Sequence, residues 1–412
     1  MSGPILIFDK SALQSLSIDE AIWLDNFFQS NVTPLFFIET LADLEKQVKR
    51  GKTPEEIVGD IALKTPDRGA YPNAHHRRLV EAELFGVDTV AMDGRCVLVG
   101  GRPVTLNEQK GIIFSQSPEE EAFHRWQRRD FLGAERNVAK RWRAALAVSD
   151  FERGYQFFRE RFLGGKSLKD FDEVKARTDE SIDRPDQESS FRFGMTLFDI
   201  APDAQAKIIE RWRGSRKPKI HEFAPYFKFL YSVELFFYLG LASDLISRDR
   251  PTNKVDLAYL YYLPFCRVFT SKDKLHERTV PLFMRANQTF VRSDELKADL
   301  ANLDAHYSGL PDEIKRSGLH RFANNPPEDT SFLVTRLWDT YMPKWREWIE
   351  KAKEITPEMQ EALRKLTEKV KRESKPGNPR ERFAIGEANY LHMESQVRRR
   401  KGKWDIFGPN VK

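Results

Sequence analysis

The chain has 412 residues, 40% of them hydrophobic, with 30 Phe, 11 Tyr and 8 Trp, so it is long and apolar enough for two or three domains or one domain with large insertions. Lys and Arg exceed Asp and Glu by only 67 − 62 = 5, which permits a polyanionic partner without demanding one. Cys96 and Cys266 both sit in apolar runs, which excludes a disulfide framework or a Cys/His zinc site and reads as two buried thiols in a reducing compartment.

In chain order, residues 5–8 (Ile-Leu-Ile-Phe) read as a strand buried on both faces. Ser17 and Glu20 form a capping box for a helix through Ile22, Leu24 and Phe28. Residues 35–38 (Leu-Phe-Phe-Ile) read as a second buried strand, with Glu39 opening the next helix. Thr53-Pro54 and Ser117-Pro118 each start a further capped helix, the second reaching roughly Phe162 in two pieces. Between them, residues 89–105 alternate in a β pattern broken by Asp93-Gly94 and Gly100-Gly101, which predicts a small hairpin or meander. Residues 164–190 read as a polar loop or short helices, and 204–212 as a helix. A long apolar helix follows at about 225–247. Lys228, Glu234 and Asp244 lie within or beside it, and burying them in lipid is costly, so a core helix, no membrane partner and a cytoplasmic location are expected. Asp9 also interrupts the N-terminal apolar run too early for a secretory signal. A helix through Asp256, a strand at 267–270, a strand near Phe290 and a helix from Ser293 restore the α/β rhythm. The remainder, with Trp338, Trp345 and Trp348 and a charged stretch at 358–373, is expected to be helical before an irregular basic tail.

Four acids punctuate this order: Asp9, Glu39, Asp256 and Asp273. Carboxylates gathered at strand ends repel one another unless a hard cation sits among them. Any one alone reads better as a helix cap. Together, Asp9-Lys10-Ser11 after the first strand, Glu39, Asp256 and Ser271-Lys272-Asp273 resemble the acidic motifs of the PIN domain family, over residues 1–50 and 220–300. The chain departs from that pattern in Lys10, in Lys274-Leu275-His276 after the last acid, and in the long stretch between the second and third acids. The resemblance implies a nuclease that hydrolyses phosphodiester bonds with Mg²⁺ or Mn²⁺, on RNA ahead of DNA, with a toxin or defence role among its expected uses. Asp9, Glu39, Asp256 and Asp273 would be the catalytic and metal-holding residues, with Ser11 and Ser271 as auxiliaries. A non-catalytic nucleic-acid- or protein-binding module on the same fold is the alternative.

Other groups carry less. Arg213, Arg216 and Lys217, and Arg398, Arg399 and Arg400, are candidate nucleic-acid contacts, although such runs are more often solvated. The cations around Trp126 and Trp142 fit an amphipathic helix better than a base-stacking surface. His75-His76 is a poor metal pair, and His276 is near enough in sequence to Asp273 to approach the site. The expected fold is therefore α/β: a PIN-like parallel sheet flanked by helices. Residues 1–50 and 216–310 form its core, 51–215 a mostly helical insertion with a small hairpin, and 311–412 a helical region with a basic tail. A homo-oligomer or an inhibitor protein is compatible with this organisation.

Overall fold

The computed structural model describes residues 3–46, 51–67, 70–98, 101–106, 109–114, 116–147, 151–353, 365, 368, 375–376, 390–393 and 397–409. The first apolar run forms strand β1 (Ile5–Phe8), three of whose four residues are buried. β2 (Gln29–Val32) and β3 (Ala70–Pro72) lie to one side of it. After a separate hairpin, β4 (Arg102–Leu106) and β5 (Gln109–Phe114), the chain adds β6 (Val268–Ser271) and β7 (Thr289–Arg292) on the other side. The five strands run parallel in the order β3-β2-β1-β6-β7. Phe8 is in register with Thr270, so β1 and β6 end side by side. The chain leaves β1 in one direction and comes back on its other flank, and the crevice beyond such a reversal is where open α/β sheets receive ligands.

The mixed α/β class is as expected, with helices flanking a parallel sheet. The second strand is not. Residues 35–38 belong to a helix, Pro34–Leu41, because Thr33 caps it through Phe36 N and Pro34 fills its first turn. Four apolar residues fit either state, and the cap decides. The strand is instead the polar Gln29-Ser30-Asn31-Val32, whose Asn31 donates Nδ2 to Phe265 O at 3.0 Å. Glu39 therefore stands in the last turn of a helix, not at a helix start. The hairpin also falls later than expected, at 102–114, and its inner turn lies outside the described residues. The polar stretch at 164–190 contains one full helix, Phe171–Ile182, and the start of another, Gln187–Leu197, capped by Asp170 and Asp186.

Helices Lys10–Ser15, Ile18–Phe27 and Ser293–Ser308 pack together, and the first and last of them reach β6. The capping boxes at Ser17, Thr53 and Ser117 all form with both hydrogen bonds. A second apolar centre surrounds helix Pro225–Ala242, against which helices Phe151–Arg161, Phe171–Ile182 and His76–Leu84 pack. Glu83 caps that helix: its carboxylate accepts from Tyr226 N at 3.1 Å and Phe227 N at 2.8 Å. Glu234, inside the same helix, is met by Lys254 and the Tyr261 hydroxyl. Among the described residues no helix is long and apolar enough to cross a membrane.

Trp338 and Trp345 are core residues. The charged stretch at 358–373 lies almost wholly outside the described residues. The basic tail is tied down where it is described. Arg398 grips Asp67 at 2.7 and 3.0 Å. Lys401, 3% exposed, donates to Thr65 O at 2.7 Å. Trp404 packs edge-on against Trp23, with ring centres 5.0 Å apart.

Candidate functional site

Asp9 follows β1 and caps helix Lys10–Ser15, accepting from Ala12 N at 2.8 Å. Ser11 Oγ lies 2.9 and 2.8 Å from its two oxygens, and Ser271, the last residue of β6, donates at 2.6 Å. The Ser271 bond spans the gap between the two strand ends. Burial alone raises the pKa of this carboxyl, but the hydrogen bond and charge of His276, with Ser271 and Ala12 N, lower it below the ordinary aspartate value. Asp9 is held as a carboxylate.

His276 is fully buried on helix Lys274–Thr279. Its Nε2 lies 2.6 Å from the carbonyl oxygen of Asp256, which only accepts, so Nε2 carries a proton. Its Nδ1 is 2.8 Å from Ser271 Oγ and 3.4 Å from Asp9 Oδ2. The single Ser271 proton goes to Asp9, so Nδ1 also donates and the ring is an imidazolium. Burial would depress its pKa, but Asp9, then the Asp256 carbonyl and charge, raise it to about 9. His276 fixes Asp9 against the backbone of Asp256.

Glu39 is held on both oxygens. Lys10 Nζ lies 3.0 Å from Oε1, and the Tyr259 hydroxyl donates to Oε2 at 2.8 Å. Lys10, 7% exposed, also reaches Asp43 Oδ1 at 3.2 Å. Burial lowers the pKa of its ammonium, but Glu39 and Asp43 more than reverse that. Asp43 is fully buried on the 3₁₀ turn Ala42–Glu45 and is also approached by Lys46 at 2.7 Å and Arg143 at 3.4 Å. Asp43 escaped the sequence reading. Its spacing of four from Glu39 was the available signal, since that spacing puts two helical residues on one face.

Asp256 differs from all of these. It is half-buried on helix Thr252–Ala258, and among the described residues no hydrogen bond or ion pair meets its carboxyl. Burial, then the charges of Glu39, Asp273 and Asp9, push it up to about 7 against the lowering influence of His276. Asp273 completes the edge: its N–H donates to Ser271 Oγ at 2.9 Å, and its Oδ1 accepts from Leu275 N at 2.6 Å. The structure thus brings all four acids into one electrostatic neighbourhood. Asp9 and Asp273 share Ser271, His276 bonds the backbone oxygen of Asp256, and Tyr259, which holds Glu39, meets the His276 ring edge-on with centres 6.0 Å apart. Among the described residues, no three His, Cys, Asp or Glu side chains are gathered closely enough to hold a metal ion as they stand.

The basic candidates lie elsewhere. Arg213 pairs with Glu188 at 2.6 Å, while Arg216 and Lys217 are exposed on left-handed backbone with φ of 65° and 53°. Arg398 is committed to Asp67, Arg399 donates to Pro409 O at 3.3 Å, and Arg400 is exposed on a short strand pair with Asp405. Around the buried Trp126, Arg125 pairs with Glu135, Arg129 with Glu56 and Arg136 with Glu55. His76 makes a 3.1 Å contact with the Tyr262 hydroxyl, and burial, then His75, hold its pKa down to about 3. Compared with family models, curated proteins and solved structures, the chain matches none.

Proposed function

We propose that the protein is a metal-dependent phosphodiesterase of PIN-like fold, cleaving RNA in preference to DNA, with Mg²⁺ or Mn²⁺ as its cation. In this reading residues 1–50 and 216–310 carry most of the core, 51–215 are inserted into it but also lend the sheet its outer strand β3, and nucleic acid is the partner. The observation that carries it is Asp256. A carboxyl raised to about 7 by burial and three neighbouring acids, with no donor of its own, is one a hard cation stabilises strongly.

The donor set fits such an ion in part. Asp256 and the free oxygen of Asp273 offer hard ligands. Asp9 offers a third through Ser11, whose single proton faces both carboxylate oxygens, so that turning the hydroxyl away frees a lone pair. Glu39 fits less directly, because Lys10 and Tyr259 each take an acceptor site on one of its oxygens. A bound divalent ion supplies a nucleophilic hydroxide at neutral pH and offsets charge on the phosphate. The chain's own residues supply orientation. His276 and Ser271 lock Asp9 against β6, and the helix Lys274–Thr279 holds Asp273 at the crevice.

The test is cleavage of a mixed RNA and single- and double-stranded DNA panel with Mn²⁺. Wild-type protein should cut, and Asp9→Asn and Asp256→Asn should not. Equal cleavage by all three would sink the assignment. The rival reading, a binding module without catalysis, draws on the internal neutralisation of Asp9 by His276 and of Glu39 by Lys10. It is favoured if the folded wild type binds RNA but leaves it intact across Mg²⁺ and Mn²⁺ titrations.

A further inference from the structure

We propose that a groove among the helices that precede Pro225–Ala242 holds the unpaired bases of a single-stranded nucleic acid, away from the acidic edge. This rests on the reading above and specifies the form of its substrate. The groove lies between helices Phe151–Arg161, Phe171–Ile182 and Gln187–Leu197 and encloses about 800 Å³. Its wall is aromatic. Helix Phe151–Arg161 buries Tyr155 and Phe158 but leaves Phe157 43% exposed. The Phe157 ring runs nearly parallel to that of Phe193, at 21° with centres 6.1 Å apart, and Phe162 meets both at 6.3 and 5.3 Å. The open side of Phe157 adds nothing to the core, and a base can stack on it.

Charge selects the occupant. Arg161 and Arg184 line the groove and are exposed, and among the described residues neither guanidinium has an ion-pair or hydrogen-bond partner. The two acids of the groove are already paired, Glu180 with Arg177 at 3.0 Å and Asp183 with Lys228 at 3.7 Å. Two guanidiniums are thus left over beside aromatic rings, a combination that takes the phosphates and bases of one strand. A duplex offers the phosphates but keeps its base faces stacked, and an acidic peptide offers charge but nothing flat. The groove is also tied to the acids. Helix Phe171–Ile182 lines it through Arg177 and Glu180, and at its start the Arg278 guanidinium lies over the Phe171 ring, 4.4 Å from the centre. Arg278 stands on helix Lys274–Thr279, which Asp273 caps. Helix Phe171–Ile182 has 12 residues and is about 18 Å long, so a strand that fills the groove and reaches the acids is longer than one nucleotide.

Fluorescence anisotropy of a short labelled oligouridylate, measured in EDTA, tests this without cleavage. The wild type should bind it more tightly than a duplex of the same length, an oligoglutamate peptide or uridine monophosphate. Phe157→Ala should weaken the oligouridylate by about fivefold or more. If that variant does not fold, Phe157→Leu, which keeps the apolar contacts but not the flat ring, takes its place. Arg161→Ala and Arg184→Ala should each lower the slope of log affinity against log salt by about 0.7. Phe85→Ala removes a ring that is 42% exposed outside the groove and should change nothing. Equal affinity for the duplex, the peptide or the mononucleotide, unchanged binding by the folded Phe157 variant, or unchanged salt slopes in both arginine variants each overturns the inference alone. Binding without Mn²⁺-dependent cutting leaves the groove in place and removes the nuclease reading. A wild type that neither binds nor cuts overturns both.

Discussion

The helical centre and the sheet edge both bury acids, and they treat them in opposite ways. Around helix Pro225–Ala242, Glu83 is spent as a cap, meeting two backbone N–H groups. Asp299 does the same for helix Leu333–Tyr341, accepting from Leu333 N at 2.8 Å and Val334 N at 2.9 Å. At the sheet edge Asp256 is half-buried and, among the described residues, its carboxyl receives no hydrogen bond. A buried carboxyl that meets backbone N–H groups stabilises its helix, whereas one left without a donor and surrounded by like charges costs stability.

The comparison predicts a separation of effects. The largest is on activity: Asp256→Asn should lower Mn²⁺-dependent cleavage by more than about a hundredfold, since even outer partners of metal ligands matter on that scale. Glu83→Ala should leave the cleavage of the remaining folded protein unchanged. Stability should divide the other way. Glu83→Ala orphans two buried N–H groups and should cost about 3 kcal/mol in urea unfolding, whereas Asp256→Ala should cost less than about 1 kcal/mol in metal-free buffer. Equal losses would erase the distinction between the two acids.

A subtler difference is in pH. Burial raises Glu83 to about 7 from 4.5, against the N–H donors of Phe227 and Tyr226 and the charge of Arg211. A carboxyl raised on folding adds stability that is complete below its unfolded value and is lost as pH rises through its folded one. The stability difference between wild type and Glu83→Gln should therefore shift against the wild type between pH 4.5 and 7 and level off above. A difference that does not change with pH would mean that Glu83 is ionised throughout. The smallest effect belongs to the exposed cations. Arg216→Ala should leave the urea midpoint where it is. If RNA crosses that turn, the variant should lower the slope of affinity against salt by about one unit.

The sequence announced what is local. β1 is apolar on every residue, and the boxes at Ser17, Thr53 and Ser117 are closed within four residues, so each was readable without the rest of the fold. β2 was not. Its Ser30 and Asn31 are fully buried polar residues, and nothing in Gln-Ser-Asn-Val says that a neighbouring strand and Phe265 O will receive them. Glu39 does not open a helix after a strand, because residues 35–38 are themselves helical and Glu39 lies in that helix's last turn. The 3₁₀ turn that follows that helix supplies Asp43 and with it a further hold on Lys10. The convergence of Asp9 with Asp256 and Asp273 was legible as order along the chain. The partners that decide each acid's charge, His276, Tyr259 and Lys10, are set by packing between segments far apart in sequence.

Trp23 sits on an early helix, and Trp404 closes over it beside the Arg398–Asp67 and Lys401–Thr65 contacts. During synthesis the first strand and its helices leave the ribosome long before residue 404 does. Until then the edge of Trp23 that meets Trp404 stays uncovered, and Asp9 waits for the Ser271 hydroxyl, 262 positions later, to donate to it. A nascent chain thus carries Asp9 and Ser271 apart until the strand that ends in Ser271 has been made.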